Sequence, residues 1–288
     1  MRWLDAMVQG CLVGGLYALF ATGLSLIFGV MRLVNLAHGD LIVLAAFASL
    51  VCVQALGLPP LWSLLLVVPV MAAFGYALQR LVLNRALGGD ILPPLLVTFG
   101  LSIVIQNGLL EGFSADSRKL PMGGLATASL RLGGGLSVGW YPLLVLAAAV
   151  AVIFLLQMAL YRTRLGAALR ATSDDAVTVR LMGVDHRHMF AVAMAAALAV
   201  CGVAGVLLGG STNFDPASGP QHLLYAFEAV IIGGLGSLWG TLAGGIVLGV
   251  AQALAAAVDP GWQILGGHAA FLAVLLLRPR GLFPRMAG

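Results

Sequence analysis

A chain of 288 residues that is 61% hydrophobic and only 9% charged, with a mean hydropathy of +1.04, lies far outside the balance of a water-soluble globular domain. The net charge of +4 rests on fourteen arginines and a single lysine, Lys119. These cations sit between apolar runs and form no basic face or aromatic-interleaved stripe, which excludes a nucleic-acid binder and leaves a multispanning membrane protein.

The opening stretch, MRWLDAMVQGCLVGG, reads as a retained first helix: Asp5 interrupts the basic region a signal peptide would need, and no small-residue cleavage site follows. A helical span takes about 20 apolar residues, because the hydrocarbon is roughly 30 Å thick and a helix rises about 1.5 Å per residue. Runs of this kind occupy 7–29, 40–56, 61–80, 95–110, 142–160 and 189–210, then a short piece at 223–234, then 241–258 and 262–277. They are continuously apolar, so they predict helices and not the alternation of a β-barrel. The fold expected is one all-α integral-membrane domain over 1–288, with about nine crossings and a range of eight to ten, since the short piece turns back at GGLGS, 233–237.

Arg162, Arg164, Arg170, Arg180 and Arg187 crowd the loop 161–188, and Arg278, Arg280 and Arg285 the tail, so both are expected to be cytoplasmic. Parity then puts the amino terminus outside. On this map Arg32, Arg80 and Arg85 are also inside, and the exterior keeps only Arg2, Arg118, Lys119 and Arg131. The longest exterior segment, 111–140, is polar enough to meet a soluble partner.

Cys11, Cys52 and Cys201 are dispersed in apolar runs, with neither a disulfide framework nor metal-ligand spacing. GxxxxGK[ST], GxSxG and HExxH are absent, so no cofactor, metal or ATP chemistry is expected on this chain and any nucleotide use belongs to other subunits.

Polar groups within the apolar runs are the candidates for function, because charge in lipid is costly and usually faces a cavity or a partner. Asn35, His38 and Asp40 fall together where the second run begins, with Gly39 permitting an irregular backbone. Two readings fit: a broken helix capped at the membrane surface, or a discontinuous helix lining a solute route. A counterpart break, STNFDPASGP with Asn213 and Asp215, follows 189–210, as an inverted repeat about the fifth span would place it. Glu228 in YAFEAVIIGG is either functional or a hydrogen-bonded carboxyl at a helix interface. Gln106, Asn107 and Gln252 read as interhelical hydrogen-bonders, Asn107 also as a candidate for the path, and His268 as a packed or interfacial histidine. Gly240 and Gly244 lie on one helix face as a close-packing seam.

In the cytoplasmic loop, Ser173 is expected to cap one short helix whose first turn holds Asp174 and Asp175 and which stops at Gly183. Val177, Val179, Leu181 and Met182 around Arg180 give that helix the apolar surface of an element docking in a partner's groove.

The stretches GGLYALFATGLSLIFGVMRLVNLAHGDLIVLAAF, LRATSDDAVTVRLMGV, AFEAVIIGGLGSLWGTLAGG and LRPRGLF together resemble the permeases of bacterial branched-chain amino acid ABC importers, the shorter of the two permease types more closely. The resemblance spans nearly the whole chain. It implies a bacterial inner-membrane permease that pairs with a second, similar permease, two cytoplasmic ATPase subunits carrying ATP and Mg, and a periplasmic solute-binding protein. It maps 166–184 to the segment that contacts the ATPase, with Gly166, Arg170, Asp174 and Gly183 at motif positions. Glu228 stands where the family usually has a small apolar residue, and Gln252 where an acid is frequent. The same family carries urea, short amides and small aromatic acids, so the resemblance leaves the cargo open. The competing class is an ion-coupled carrier moving protons through His38, Asp40 and Glu228.

Overall fold

The computed structural model describes residues 2–87, 92–133 and 136–283; Arg285 and residues 134–135 of the expected exterior segment lie outside these. In chain order come α1 (Arg2–Met31), α2 (His38–Leu56), α3 (Pro60–Ala86), α4 (Leu92–Phe113), β1 (Ser129–Gly133) and β2 (Leu136–Gly139). There follow α5 (Trp140–Arg162), α6 (Arg164–Asp174), α7 (Ala176–Leu181), α8 (His186–Ser211), α9 (Gly219–Gly233), α10 (Leu238–Val258) and α11 (Pro260–Leu277). Among the described residues eight helices, all but α6, α7 and α9, are long and apolar enough to cross a bilayer. The chain is an all-α, multi-pass membrane protein. The ninth expected segment is α9, whose 15 residues reach only about 22 Å, short of the roughly 30 Å of hydrocarbon.

α1 and α8 form the centre, 83% and 72% buried over their apolar windows, whereas α11 is 6% buried and lies at the edge. Without water to drive apolar association, helices in lipid gain most from close backbone approach, and glycine provides it. A Cβ on Gly10 or Gly14 would lie 2.5 or 2.6 Å from the Cα of Val250 or Ile246, so α1 and α10 meet backbone to backbone. α10 uses two faces: Gly245 and Gly249 receive α1, while Gly240 and Gly244 receive Gly233 and Ala229 of α9. The expected seam is therefore double.

At one end of the bundle, the hairpin end, Gln9 Nε2 donates to the Ser137 carbonyl at 2.7 Å, next to the antiparallel β1–β2 pair. There the segment after α4 is stitched to the segment after α8: Arg118 and Phe214 exchange backbone bonds of 2.8 and 2.9 Å, and Leu120 N–H reaches the Gly209 carbonyl at 2.8 Å. Leu120 and Phe214 are buried, so the segment expected to be exterior packs in part onto the bundle, an order its Gly and Ser content did not announce. At the opposite end, the α6 end, Ser173 Oγ donates to the Gly29 carbonyl at 2.7 Å. The tail closes the turn after α9 there, with Leu282 N–H on the Ile232 carbonyl at 2.8 Å and Phe283 N–H on that of Gly233 at 3.0 Å. The stretches singled out in sequence thus converge on this end.

The expected single helix capped by Ser173 is replaced by two. Thr163 caps α6, accepting from Gly166 N–H at 3.0 Å, and Asp175 caps α7, accepting from the backbone of Val177 and Thr178 at 2.8 and 3.1 Å. Ser173 lies in the last turn of α6, where its backbone is helical, and its hydroxyl donates to α1. Asp175, equally a capping residue, takes the role two positions later. Gly183 does end the segment, at φ +83.

Candidate functional site

After α1 ends at Met31 the chain reverses through Arg32, at φ +52, and runs back into the bundle. Asn35 organises the return: its Oδ1 accepts from Ala37 N–H at 3.1 Å and its carbonyl from His38 N–H at 3.2 Å. His38 Nε2 lies 2.8 Å from the Phe20 carbonyl, so α2 begins about 16 Å back from the end of α1, deep in the bundle and not at its surface. The polar stretch therefore breaks the helix inside the bundle. All three residues are buried, and the imidazole also touches Cys201 Sγ of α8 at 3.7 Å.

Asp40, in the first turn of α2, accepts from Ser102 Oγ at 2.5 Å and Gln106 Nε2 at 3.0 Å, both on α4, and Gln106 also donates to Ser102 at 3.1 Å. A carboxylate at a helix N-terminus also meets the positive end of the dipole.

The second break comes to the same place from the other end. After α8, Asp215 forms a turn, accepting from Ala217 N–H at 2.9 Å while Ser218 Oγ donates to its carbonyl at 2.7 Å, and α9 then starts with Gly219 against Asp40. A Cβ at Gly219 would collide with the Asp40 carboxylate, and one at Gly39 with the Gly219 carbonyl. Two helices therefore start at one point, α2 leading to the hairpin end, where Phe47 meets Phe214 edge to face, and α9 to the α6 end. The two breaks run in opposite directions and meet in the interior. His222, one turn into α9, is 8% exposed, lies against Phe20 with ring centroids 5.2 Å apart, and has no hydrogen-bond partner on either ring nitrogen. Asn35 Nδ2 is likewise unpartnered. Ser102, Gln106, Gly219 and His222 were not weighed from sequence as members of this site. A polar face shared by Ser102 and Gln106 at helical spacing was the available signal for the first two.

Asn107 is not brought to this junction: it is exposed on α4 and bonds the Ile103 carbonyl within its own helix at 2.8 Å. Glu228 lies further along α9, 2% exposed, with one carboxylate oxygen bonded to His268 Nδ1 of α11 and the other without a partner. Beside it in the bundle, Tyr17 donates to Gln252 Oε1 at 2.6 Å, joining α1 to α10.

The other candidate surface is α6–α7. Gly166 packs against the Leu160 carbonyl too tightly for a Cβ, and Arg170 donates to that carbonyl with its guanidinium 4.5 Å from the Tyr161 ring centroid. Asp174, Asp175, Arg180 and Gly183 are exposed. Val177, Leu181 and Met182 stand 72, 86 and 78% exposed, while Val179 is buried and anchors α7. Behind it Arg80 pairs with Asp185 at 3.1 Å, beside a π-helical turn at Gln79–Leu83 where Asn84 Nδ2 reaches the Arg187 carbonyl at 3.2 Å.

A lipid-embedded bundle built on two interrupted helices, with a capped apolar helix projecting from one end, defines a transport permease. The family model for the branched-chain amino acid transport system / permease component matches residues 6–276, and the chain belongs to that family. It is 30% identical to the high-affinity branched-chain amino acid transport system permease protein BraD of Pseudomonas aeruginosa, over 99% of this chain and 96% of that one. The LivH permease protein of Escherichia coli is 28% identical with the same coverage, and the LivM permease protein of that organism is 26% identical over 93% of this chain and 68% of its own. No solved structure matches the chain significantly.

Proposed function

We propose that the protein is a transmembrane permease subunit of an ATP-driven, binding-protein-dependent importer of branched-chain or related small amino acids. The single observation that carries the coupling half of this reading is α7. Three large apolar side chains held largely exposed, Val177 and Leu181 on a capped helix and Met182 at its end, have no role in a self-contained carrier, and they suit insertion into a groove of a second protein. In this reading two ATPase subunits hold ATP and Mg and engage α6–α7, with Gly166 and Arg170 fixing α6 to α5 and Asp175 fixing α7 to α6. A second, similar permease completes the pathway; the similarity to both LivH and LivM supports a heterodimer. The α6 end faces the cytoplasm, as its arginines favour, and the hairpin end faces a periplasmic binding protein. Solute passes by the junction of α2 and α9, where Asn35, His38, Asp40 and His222 offer polar contacts. Rocking of the two permeases moves access from one side to the other, driven by differential contacts in the two states.

The test is reconstitution in vesicles. With the ATPase subunits, the second permease and the binding protein present, labelled L-leucine should accumulate against its gradient only when ATP is supplied. Val177→Asp and Leu181→Asp should abolish capture of the ATPase subunits while leaving the thermal melt of the permease unchanged. Uphill leucine uptake by the single chain under a proton gradient would instead establish the carrier reading.

A further inference from the structure

Beyond the transport pathway, we propose that a basic pocket between the end of α3 and the segment leading from α7 into α8 binds the phosphate headgroup of an anionic phospholipid. The pocket has a volume of about 890 Å³, within the roughly 300–1,000 Å³ of small-molecule sites. Its walls are held in place by buried and capping bonds. Asn84 lines it and donates from Nδ2 to the Arg187 carbonyl at 3.2 Å while accepting from Gln79 Nε2 at 3.0 Å. Asp185 caps α8 and accepts from Arg80 at 3.1 Å. The π-helical turn at Gln79–Leu83 shapes the α3 wall, with the Asn84 N–H bonded to the Gln79 carbonyl five residues back. In a regular α-helix, residues five apart point about 140° from one another, whereas a turn bonded i to i+5 brings them toward one side. The turn therefore lets Arg80 and Arg85 serve the same pocket.

Charge sets the ligand. Arg80, Arg85, Arg180 and Arg187 line the pocket, all exposed, and Asp185 is the one acid among its described lining residues. That carboxylate is paired with Arg80, and the other three arginines form no ion pair among the described residues. Guanidinium groups left without a carboxylate in one concavity suit phosphate oxygens, which they can bond two at a time. Position then favours a lipid over a soluble phosphate. Leu66, Val70 and Phe74 follow one another at four-residue spacing on α3, Leu81 continues the stripe beside Arg80, and all four are exposed. Only 28% of the apolar window of α3 is buried, so acyl chains have a lipid-facing surface to lie on below a headgroup held by the arginines. Val177, Leu181 and Met182 do not line the pocket, so an occupant leaves the apolar face of α7 uncovered.

Phosphatidylglycerol in detergent micelles is the probe, its binding to the purified full-length chain followed by native mass spectrometry. It should bind saturably, and phosphatidylcholine, whose headgroup carries no net charge, at least about tenfold more weakly. Arg85→Gln/Arg187→Gln should weaken phosphatidylglycerol at least about tenfold, since each arginine near anionic lipid contributes about fivefold. Arg85→Lys/Arg187→Lys, which keeps the charge but not the planar fork, should fall between that variant and the wild type. Arg162→Gln/Arg164→Gln removes the same charge at the same end of the bundle but outside the pocket, and should change binding less than about twofold. The chain-free headgroup, sn-glycerol 3-phosphate, should displace the lipid only at a concentration at least about tenfold higher. Equal binding of phosphatidylcholine, an equal loss in the Arg162 and Arg164 variant, displacement by sn-glycerol 3-phosphate at matching concentration, or no saturable binding would overturn the proposal. Because the chain is tested without ATPase subunits, failure here is separate from any failure of the importer to transport.

Discussion

Asp40 and Gly219 show how closely the junction is fitted: the glycine has no room for one more carbon, because the carboxylate occupies that space. Gly219→Ala should therefore force α2 and α9 apart and lower the melting temperature of the detergent-solubilised protein by several degrees. Gly108→Ala is the matched control, since a Cβ there meets nothing within 4 Å and alanine favours a helix by about 0.8–1 kcal/mol. Equal melts for the two variants would remove the case for the junction. Ser102→Ala takes one donor from a buried carboxylate, and the loss should be about 1–2 kcal/mol in a denaturation assay. That exceeds the roughly 0.6 kcal/mol typical of interhelical hydrogen bonds in membranes, because the substitution leaves a buried acceptor short of a donor. His38→Ala should preserve assembly and lower uptake if the histidine faces solute.

Among the elements, α7 depends on its cap. The Thr178 hydroxyl, then the backbone N–H groups of Thr178 and Val177, hold Asp175 below the ordinary value of 3.8, so the ionised form is the one that caps. A group whose folded-state value is depressed contributes fully above its unfolded value and loses that contribution as pH falls through the folded one. Protection of the Val177 and Thr178 amides, corrected for intrinsic exchange, should therefore be constant above about pH 4 and decline below it. In Asp175→Asn the same protection should not vary with pH. The Arg80–Asp185 pair is a weaker support, since both side chains are near half exposed, 45 and 52%. Asp185→Asn should cost no more than about 1 kcal/mol, with the difference from wild type shrinking in high salt.

At the scale of the whole molecule, the orientation proposed from arginine placement can be tested directly. Single cysteines introduced at Thr127 and Leu181, in a background without Cys11, Cys52 and Cys201, should react with an impermeant maleimide from opposite sides of sealed vesicles. Labelling of both from one side would discard the map, and labelling of Thr127 from the cytoplasmic side with Leu181 from the other would invert it. The bundle also explains why the four resembling stretches are so far apart in sequence. Gly29, Ser173, Ile232 and Leu282 are neighbours at the α6 end, so what reads as scattered motifs is one surface.

Apolar run length and the placement of charge are local properties, and they were enough to establish an all-helical membrane protein, its eight long apolar runs and the shortness of the segment before GGLGS, while four stretches of sequence carried the family resemblance. The polar stretch at Asn35 to Asp40 was visible for the same reason, because polar groups stand out against lipid-compatible sequence. What they bond was not visible: Ser102 and Gln106 lie over sixty positions away from Asp40, and Glu228 meets His268 across 40 residues. That α6 runs on past Ser173 and leaves Asp175 as the cap, and that His38 lies deep against a carbonyl at Phe20, were set by the fold. Only packing decides such matters, because a hydrogen bond between distant segments depends on which helices lie side by side, and hydrophobicity along the chain carries no record of that.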